Sequence, residues 1–316
     1  MIEQPPKLKI TQKTFVNANK PSVISKIKEI NNDYLYWDKI KYKKIEDLDA
    51  QQLWSVVKLS RDFNAKTILF GDDRFKFVNT DYIQKILHYF DMNIGGYMGA
   101  KSVIPEEDKT RYLVSSIMEE AISSSQIEGA VTTRKKAKEM LRKEVKPKSK
   151  SEQMIVNNYL TIKHITQNRH DDLTPEKLLY IHSLVSCDTL DHKKEEGNFR
   201  DSDDVHVINH VNGEIVHTPP KRTDLDKLIK DLCVFFNNDK DDFFIHPIIK
   251  GIIIHFMIGY IHPFTDGNGR TARALFYWYL LKKGYWLTEY LSISKIIQDT
   301  KNQYEKAYLY TENDNN

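Results

Sequence analysis

The sequence predicts a mainly α-helical fold with one small β-hairpin. Residues 246–261 (HPIIKGIIIHFMIGYI) are strongly apolar and too long for a strand, so they should form a buried helix. A second helix is expected over residues 271–283, because it would end at Gly284, a residue typical of helix C-termini. Asn212-Gly213, followed by the short run Glu214–His217, is a strong turn signal and predicts the hairpin.

The remaining elements follow in order along the chain. Residues 1–30 are rich in lysine, contain three prolines and are expected to form an extended arm. Helices are expected between 31 and 145, among them residues 107–127, which would end at Gly129. Two more helices are expected within 152–186 and another over 224–236. We therefore divide the chain into an arm (1–30), a helical N-terminal region (31–165) and a C-terminal helical core (166–316), with the last two forming one compact unit.

Composition and charge narrow the class of protein. The chain has 316 residues and only two cysteines, too few for a disulfide framework, which favours a reducing compartment. The sequence contains neither an apolar run of membrane-spanning length nor a signal-peptide pattern, so a cytoplasmic protein with no membrane partner is expected. A net charge of +3 does not indicate nucleic-acid binding. The basic run over 134–150 favours a solvated helix and linker, and a docking surface for an acidic partner or DNA is the alternative.

The most informative segment is residues 262–273, HPFTDGNGRTAR. Pro263 disfavours helical angles at His262, so the first helix should end there and the segment should form a loop over the N-terminus of the next helix. Free backbone amides and the helix dipole attract anions at such a position. Gly267 and Gly269 would let the backbone approach a phosphate closely.

The side chains of this loop suit a nucleoside triphosphate. Arg270 and Arg273 are three residues apart and could grip successive phosphates. Asp266 offers a carboxylate, and Mg²⁺ commonly takes one or two carboxylates together with phosphate oxygens. His262 can be neutral near pH 7 and can accept a proton from a hydroxyl group. Each group alone is a weak signal, but their occurrence within twelve residues is a strong one.

The segment resembles the signature of the Fic family, His-x-Phe-x-(Asp/Glu)-Gly-Asn-Gly-Arg-x-x-Arg, at every specified position. The resemblance implies a Fic-type helical bundle with a β-hairpin flap over the active site. It also implies a protein adenylyltransferase, which moves AMP from ATP to a Ser, Thr or Tyr hydroxyl of a target protein or of itself. The roles that it implies are His262 as general base, Asp266 as Mg²⁺ ligand, Asn268 with the amides of Gly267 and Gly269 on the transferred phosphate, Arg270 on the β-phosphate, Arg273 on the γ-phosphate and Phe264 as a core anchor of the loop.

The resemblance also implies roles for three further parts of the chain. The hairpin would be the flap, which clamps the target by strand addition and brings Ile215, Val216 and His217 close to the nucleotide; an ordinary surface hairpin is the alternative. The preceding Gly197–Arg200 pattern also resembles the family. Tyr304 would contact the adenosine, although a packing role is equally compatible with its sequence.

Taken alone, Ser124, Glu128 and Gly129 indicate only the end of a helix. Ser124 and Glu128 are four residues apart and would share a helix face. Beside a Fic core they resemble the family's inhibitory motif, (Ser/Thr)-x-x-x-Glu-(Gly/Asn). In that motif the glutamate pairs with the second arginine and obstructs the γ-phosphate, here Glu128 with Arg273. Its position before the core corresponds to class II of the family.

Several alternatives stay open at this point. The same loop could transfer UMP, phosphate or phosphocholine, or remove AMP with Glu128 positioning a water molecule. A catalytically silent interaction protein is the alternative from another class, and a homodimer is compatible with either. A DNA-associated regulator would need the winged-helix module that many relatives of the family carry after the segment corresponding to residues 285–316.

Overall fold

The computed structural model describes residues 2–45, 48–95, 106–209, 212–238 and 243–313. Contacts divide the chain into two compact units, residues 1–90 with 302–316, and residues 91–301. The prediction of a mainly helical fold with a small hairpin is confirmed. Among the described segments, every helix is either too short or too polar to cross a lipid bilayer.

The smaller unit combines helices with a two-stranded antiparallel hairpin. Its elements are α1 (Gln12–Ala18), α2 (Pro21–Asn32), α3 (Trp37–Ile40), α4 (Ala50–Asn64), β1 (Lys66–Phe70), β2 (Asp73–Phe77) and α5 (Asp81–Asn93), of which α5 ends in the larger unit. The prediction of an extended arm was wrong, because α1 and ten of the twelve residues of α2 lie within residues 1–30. Pro21 occupies the first turn of α2, where proline costs no hydrogen bond, and Val23, Ile27 and Ile30 are buried at helical spacing beside Trp54.

The larger unit is a bundle of helices with the second hairpin. Its elements are α6 (Glu106–Ile127), α7 (Arg134–Arg142), α8 (Lys150–Gln167), α9 (Pro175–Ser186), β3 (Val207–Ile208), β4 (Ile215–His217), α10 (Arg222–Asn237), α11 (Pro247–Ile261), α12 (Asn268–Lys282) and α13 (Ile293–Asp299). The last helix, α14 (Lys301–Asn313), begins here and continues in the smaller unit. Helix α12 contacts α6, α8, α9 and α11 and is the centre of the bundle.

The expected domain boundary at residue 165 falls inside α8 in the structure. That helix packs against both α6 and α9, and Ile165 is 1% exposed, so the chain is continuous in its packing at this point. The observed division instead groups residues 1–90 with 302–316 and separates them from residues 91–301. The first of these units has its own buried core.

The helices on either side of the loop differ in how well the sequence predicted them. Helix α11 matches its predicted range almost to the residue, with His246 as N-cap. Helix α12 was predicted from 271 and begins at Asn268, because Gly267 adopts φ +83° and serves as N-cap. The earlier start places Gly269 and Arg270 in the first helical turn, so their backbone N–H groups belong to the helix N-terminus.

Helix α6 ends as predicted, at Ile127, with Gly129 at φ +89°. The N–H of Ala130 donates to Ser125 O at 3.0 Å and that of Gly129 to Gln126 O at 3.1 Å, which satisfies carbonyls of the last turn. The second hairpin has shorter strands than the sequence suggested, and Val211 lies outside the described residues.

The basic residues around α7 are matched by acidic neighbours. Glu119 contacts Arg134 and Lys138, and Glu152 contacts Lys136. Four of the five carboxylate–lysine or carboxylate–arginine pairs in this region tie α7 to itself or to adjacent helices, which fits a solvated helix.

The contact between α11 and α12 depends on Gly251, where a Cβ atom would lie 3.3 Å from the Phe276 ring and 3.4 Å from Leu280. We expect Gly251→Leu to destabilise the protein by about 1–3 kcal/mol through overpacking, although leucine gains about 1 kcal/mol over glycine in helix propensity. The free energy of unfolding in urea measures the effect. Ile252→Leu on the exposed side of α11 is the control, and equal stabilities of the two variants would contradict the expectation.

Candidate active site

His262 occupies the end of α11 in a left-handed backbone conformation, φ +46° and ψ +59°. Its N–H donates to Ile258 O at 3.0 Å, which closes the last helical turn. Its Nδ1 lies 3.3 Å from Gly259 O. Because a carbonyl oxygen can only accept, this contact assigns the ring proton to Nδ1 and leaves Nε2 as the basic nitrogen.

The surroundings of His262 keep its imidazole neutral. Burial is the main cause that lowers the pKa of His262; the hydrogen bond to Gly259 opposes it, and the charges of His217 and Arg200 act in the same direction as burial. Together these effects lower the pKa of His262 to about 4. A group with this pKa is unprotonated at pH 7. His262 can therefore accept a proton there, as a general base requires.

Arg200 fixes the backbone on which His262 lies. Its side chain is 3% exposed; Nε donates to His262 O at 3.1 Å, and the backbone N–H donates to Pro263 O at 2.9 Å. Nη2 donates to Pro220 O, just beyond the second hairpin. The Gly197–Arg200 pattern thus corresponds to a buried arginine that joins the loop to the base of the hairpin.

Phe264 anchors the loop in the core, as the sequence predicted. It is fully buried and stacks on His182 of α9, with ring centroids 3.7 Å apart and planes within 1°. His182 accepts the Gly197 N–H at Nδ1 (3.1 Å) and donates from Nε2 to Asp266 O (2.9 Å). Burial lowers the pKa of His182 to about 4, so the ring remains neutral in this role.

The role of His182 in positioning the site could not be predicted from the sequence. It is a single histidine on a helix, and its partner Asp266 lies 84 positions away in the chain. No spacing pattern connects the two. Only the fold brings them together.

Asn268 closes the loop from inside. The Phe264 N–H donates to its Oδ1 at 3.0 Å, and its Nδ2 donates to Phe264 O at 2.8 Å. Both ends of the amide are thus engaged with the loop backbone, whereas the resemblance assigned this side chain to the transferred phosphate. The position of the loop amides, and with it the anion site, depends on this pair of bonds.

Asp266 points away from these buried groups, with its side chain 57% exposed. Oδ1 accepts the Gly267 N–H at 2.5 Å and lies 3.9 Å from Arg270 Nη2. In the part of the chain that the structure describes, no three acidic, histidine or cysteine side chains form a metal cluster. A cation here would have Asp266 as its protein ligand and take the rest of its coordination from substrate and water, as Mg²⁺ commonly does.

The two arginines of the motif are buried and directed differently. Arg270 is 2% exposed and donates from Nη1 to Val185 O at 2.8 Å; its Nε is buried without a partner among the described residues. Arg273 is 3% exposed and donates from Nε to Ser124 Oγ at 2.9 Å and from Nη2 to Ser124 O at 3.0 Å. Ser124 of α6 therefore fixes the orientation of the second guanidinium.

Glu128 lies against Arg273, with Oε1 2.8 Å from Nη2. The side chain of Glu128 is 32% exposed. Its partial burial by itself would raise the pKa of Glu128, but the charge and hydrogen bond of Arg273 outweigh this effect and lower the pKa overall. The carboxylate is therefore ionised at neutral pH. It occupies the guanidinium edge that the family resemblance assigns to a γ-phosphate.

Gly269 makes room for Glu128. A Cβ atom at this position would lie 2.2 Å from Glu128 Oε1 and 3.0 Å from Cδ. Real Cβ atoms do not approach other atoms so closely, so any side chain here would displace the glutamate. The sequence analysis assigned Gly269 to phosphate approach; the structure adds that its missing side chain also admits the carboxylate.

The flap residues lie on the second hairpin. Val207 pairs with His217 and Ile208 with Ile215, and Ile208 and Ile215 are 46% and 57% exposed. His217 Nε2 donates to Tyr260 O at 2.8 Å, near the end of α11. Tyr304 belongs to the smaller unit, where its hydroxyl lies 3.5 Å from that of Tyr308, and its contact with adenosine stays a prediction.

Comparison with known proteins extends these observations. The model of the Fic/DOC family matches residues 172–280, which include α9, the second hairpin and the His262 loop. Proteins named protein adenylyltransferase Fic from Nematostella vectensis and Aedes aegypti are 36% and 37% identical over 120 residues. These alignments cover 37% of this chain and 25% and 21% of the two proteins, so the chain spans about a quarter or less of the curated relatives that it matches.

Solved structures share the fold at lower identity. A Fic domain containing signaling protein from Bacteroides thetaiotaomicron has a TM-score of 0.54 and 19% identity, covering 69% of this chain and 78% of that one. Fic-1 (residues 134–508) from C. elegans has a TM-score of 0.57 and 16% identity, covering 95% of this chain and 88% of that one. Residues 172–280 of this chain therefore match the Fic/DOC family model, and the complete motif of residues 262–273 lies within that range.

Proposed function

We propose that the chain is a protein adenylyltransferase, which transfers AMP from ATP to a Ser, Thr or Tyr hydroxyl of a protein. The observation that carries this proposal is the neutral imidazole of His262 beside the N-terminus of α12, with two buried arginines on the same helix. The curated relatives bear the name of this activity. The motif residues 262–273 lie inside the matched range of the family model.

In the proposed reaction, His262 Nε2 accepts the proton of the target hydroxyl. The hydroxyl oxygen attacks the α-phosphorus of ATP, and the bond from that phosphorus to the bridging oxygen breaks. AMP remains on the target and pyrophosphate leaves. The backbone N–H groups at the start of α12 and the side chains of Arg270 and Arg273 stabilise the negative charge of the phosphates.

Magnesium fits the exposed carboxylate of Asp266. One carboxylate with phosphate oxygens and water is an ordinary Mg²⁺ environment, and the bound ion would neutralise phosphate charge. The chain itself holds that carboxylate close to the loop through its bond with the Gly267 N–H.

The exposed edge of the second hairpin supports docking of the target as an added strand. Ile208 and Ile215 present apolar side chains to solvent, and a strand added there would gain backbone hydrogen bonds together with apolar contact. The tether from His217 to Tyr260 would keep such a strand near His262. The chain itself could also supply the hydroxyl.

Glu128 restrains the reaction in this proposal. While its carboxylate holds Arg273, that guanidinium is not free to bind the γ-phosphate, so the α-phosphate of ATP would be misplaced relative to His262. A displacement of about 1 Å can reduce a rate on the order of a hundredfold. Activity would require Glu128 to leave Arg273.

We expect Glu128→Gly to raise auto-adenylylation by about a hundredfold, because Arg273 becomes available to phosphate. Incorporation of AMP from α-labelled ATP, identified by intact-protein mass spectrometry, measures the effect and separates adenylylation from transfer of UMP, phosphate or phosphocholine. Glu128→Ala, which removes the carboxylate without placing a second glycine beside Gly129, should behave alike.

The control for that experiment is His262→Ala in the Glu128→Gly protein, which should abolish labelling. Undiminished labelling of the double variant would remove His262 as the base. Equal labelling of wild type and Glu128→Gly would contradict the restraint. A different added mass, or AMP release from pre-modified target, would support one of the other transfers.

The lowered pKa of His262 yields a second expectation. Since the neutral form persists until the pH falls through about 4, the Cε1 proton resonance of His262 should not shift between about pH 8 and 5.5. NMR titration measures this, with the resonance assigned by its loss in His262→Gln. The exposed histidine His170 is the internal control. A His262 midpoint near 6.5 would contradict the burial argument.

A further inference from the structure

A polar seam runs along the contact between α6 and α12. Glu120 and Ser124 are four residues apart and share one face of α6, and Glu128 follows four residues later, just beyond the last helical residue Ile127. Ser124 and Glu128 both contact Arg273. One turn further along α12, the Tyr277 hydroxyl donates to Glu120 Oε2 at 2.7 Å. The contact that holds Glu128 on Arg273 is thus the last step of a seam that begins at Glu120.

Glu120 also binds the start of α13. The Ser294 N–H donates to Glu120 Oε2 at 2.9 Å, Ser292 Oγ donates to the same oxygen at 3.1 Å, and Ser294 Oγ donates to Oε1. Glu120 is 3% exposed and Ser294 is fully buried. Four hydrogen bonds therefore compensate the burial of this carboxylate, and breaking them would leave buried donors without partners.

Helix α13 reaches the other end of the seam as well. Gln298 Nε2 donates to Gln126 Oε1 at 3.0 Å, and Lys301 Nζ, which follows α13, donates to Ile127 O at 3.2 Å. The segment from Ser292 to Lys301 therefore contacts α6 at Glu120 and again at the two residues that precede Glu128. This segment therefore holds the last two turns of α6.

We infer that Glu120 is a positioning residue for the restraint by Glu128. Its hydrogen bonds to Tyr277 and to the start of α13 fix the position of α6 in which Glu128 contacts Arg273. This inference rests on the proposed restraint by Glu128. Glu128 lies eight positions after Glu120, about 12 Å further along the helix direction, so a small tilt or rotation of α6 at Glu120 displaces Glu128 by about 1 Å, enough to break its contact with Arg273. Glu120 itself touches none of the groups proposed to bind nucleotide.

The inference makes α13 the element through which the restraint can be released. Any change that withdraws Ser292 and Ser294 from Glu120 removes three of its four hydrogen bonds. Ser124 lies one turn after Glu120 on α6, and its partner Arg273 lies one turn before Tyr277 on α12. Loss of the Glu120 contacts is therefore transmitted along the seam to the contact between Glu128 and Arg273.

The test is a double-mutant cycle with Glu120→Gln and Ser294→Ala, each made in the wild type and in the Glu128→Gly protein. Each should raise auto-adenylylation about five- to tenfold in the wild type, a common size for coupling between sites, and change it less than about twofold when Glu128 is absent. Glu119→Gln is the matched control, since Glu119 is the neighbouring carboxylate on α6 but binds Arg134 and Lys138 of α7. It should not activate.

A merely structural role would give a different result. Equal effects in both backgrounds, or loss of activity in both, would overturn the inference, as would activation by Glu119→Gln of the same size. Ser294→Ala, which retains the carboxylate, decides the matter if Glu120→Gln does not fold.

Hydrogen–deuterium exchange of the amides of residues 123–130 provides a readout that needs no activity. Faster exchange in Glu120→Gln and Ser294→Ala, with Glu119→Gln unchanged, is expected from a loosened end of α6. Unchanged exchange would overturn the inference. A Glu128→Gly protein without transferase activity would instead refute the proposed function, while the exchange result still decides whether Glu120 positions this segment.

Discussion

The ion pair between Arg273 and Glu128 is the contact on which the rest of the site depends, and in the proposed function a phosphate competes with Glu128 for this guanidinium. The side chain is 3% exposed, and an arginine so buried needs anionic or polar partners, because an uncompensated buried charge costs several kcal/mol. Ser124 fixes its orientation from α6, and Gly269 leaves the space that Glu128 fills. Helix α6 thus supplies the partner that orients the arginine, and the turn directly after it supplies the carboxylate that binds the arginine.

Around this arginine, the loop is held by groups that carry no charge at neutral pH. His182 supports Asp266 O, Asn268 bridges the backbone of Phe264 in both directions, and His262 stays unprotonated because it is buried. The charged groups of the site are Arg200, which holds the backbone, the two arginines on α12, and the carboxylates of Asp266 and Glu128. Such a frame needs little reorganisation when a phosphate arrives, which is the condition for electrostatic stabilisation of a transition state.

The sequence predicted those parts of the site that lie close together in the chain. Residues 262–273 could be read as a unit because one turn between two apolar helices carries all of them, and Glu128 could be paired with Arg273 only through the family resemblance. His182 and Glu120 could not be found in this way, because their partners lie 84 and up to 174 positions away. The start of α12 at Asn268 was missed, since it depends on the positive φ of Gly267, and the helices within residues 1–30 were missed because prolines at a first helical turn look like breaks in a sequence.

We propose that Glu128 and the γ-phosphate compete for Arg273, and calorimetry of nucleotide binding can detect this competition. Dissociation constants for ATP and ADP with Mg²⁺ would be measured in His262→Ala, which prevents turnover, with and without Glu128→Gly. We expect nearly equal affinities for ATP and ADP while Glu128 is present, and a preference for ATP of about tenfold, or 1.4 kcal/mol, once it is removed. The same ratio of the two affinities in both proteins would contradict it.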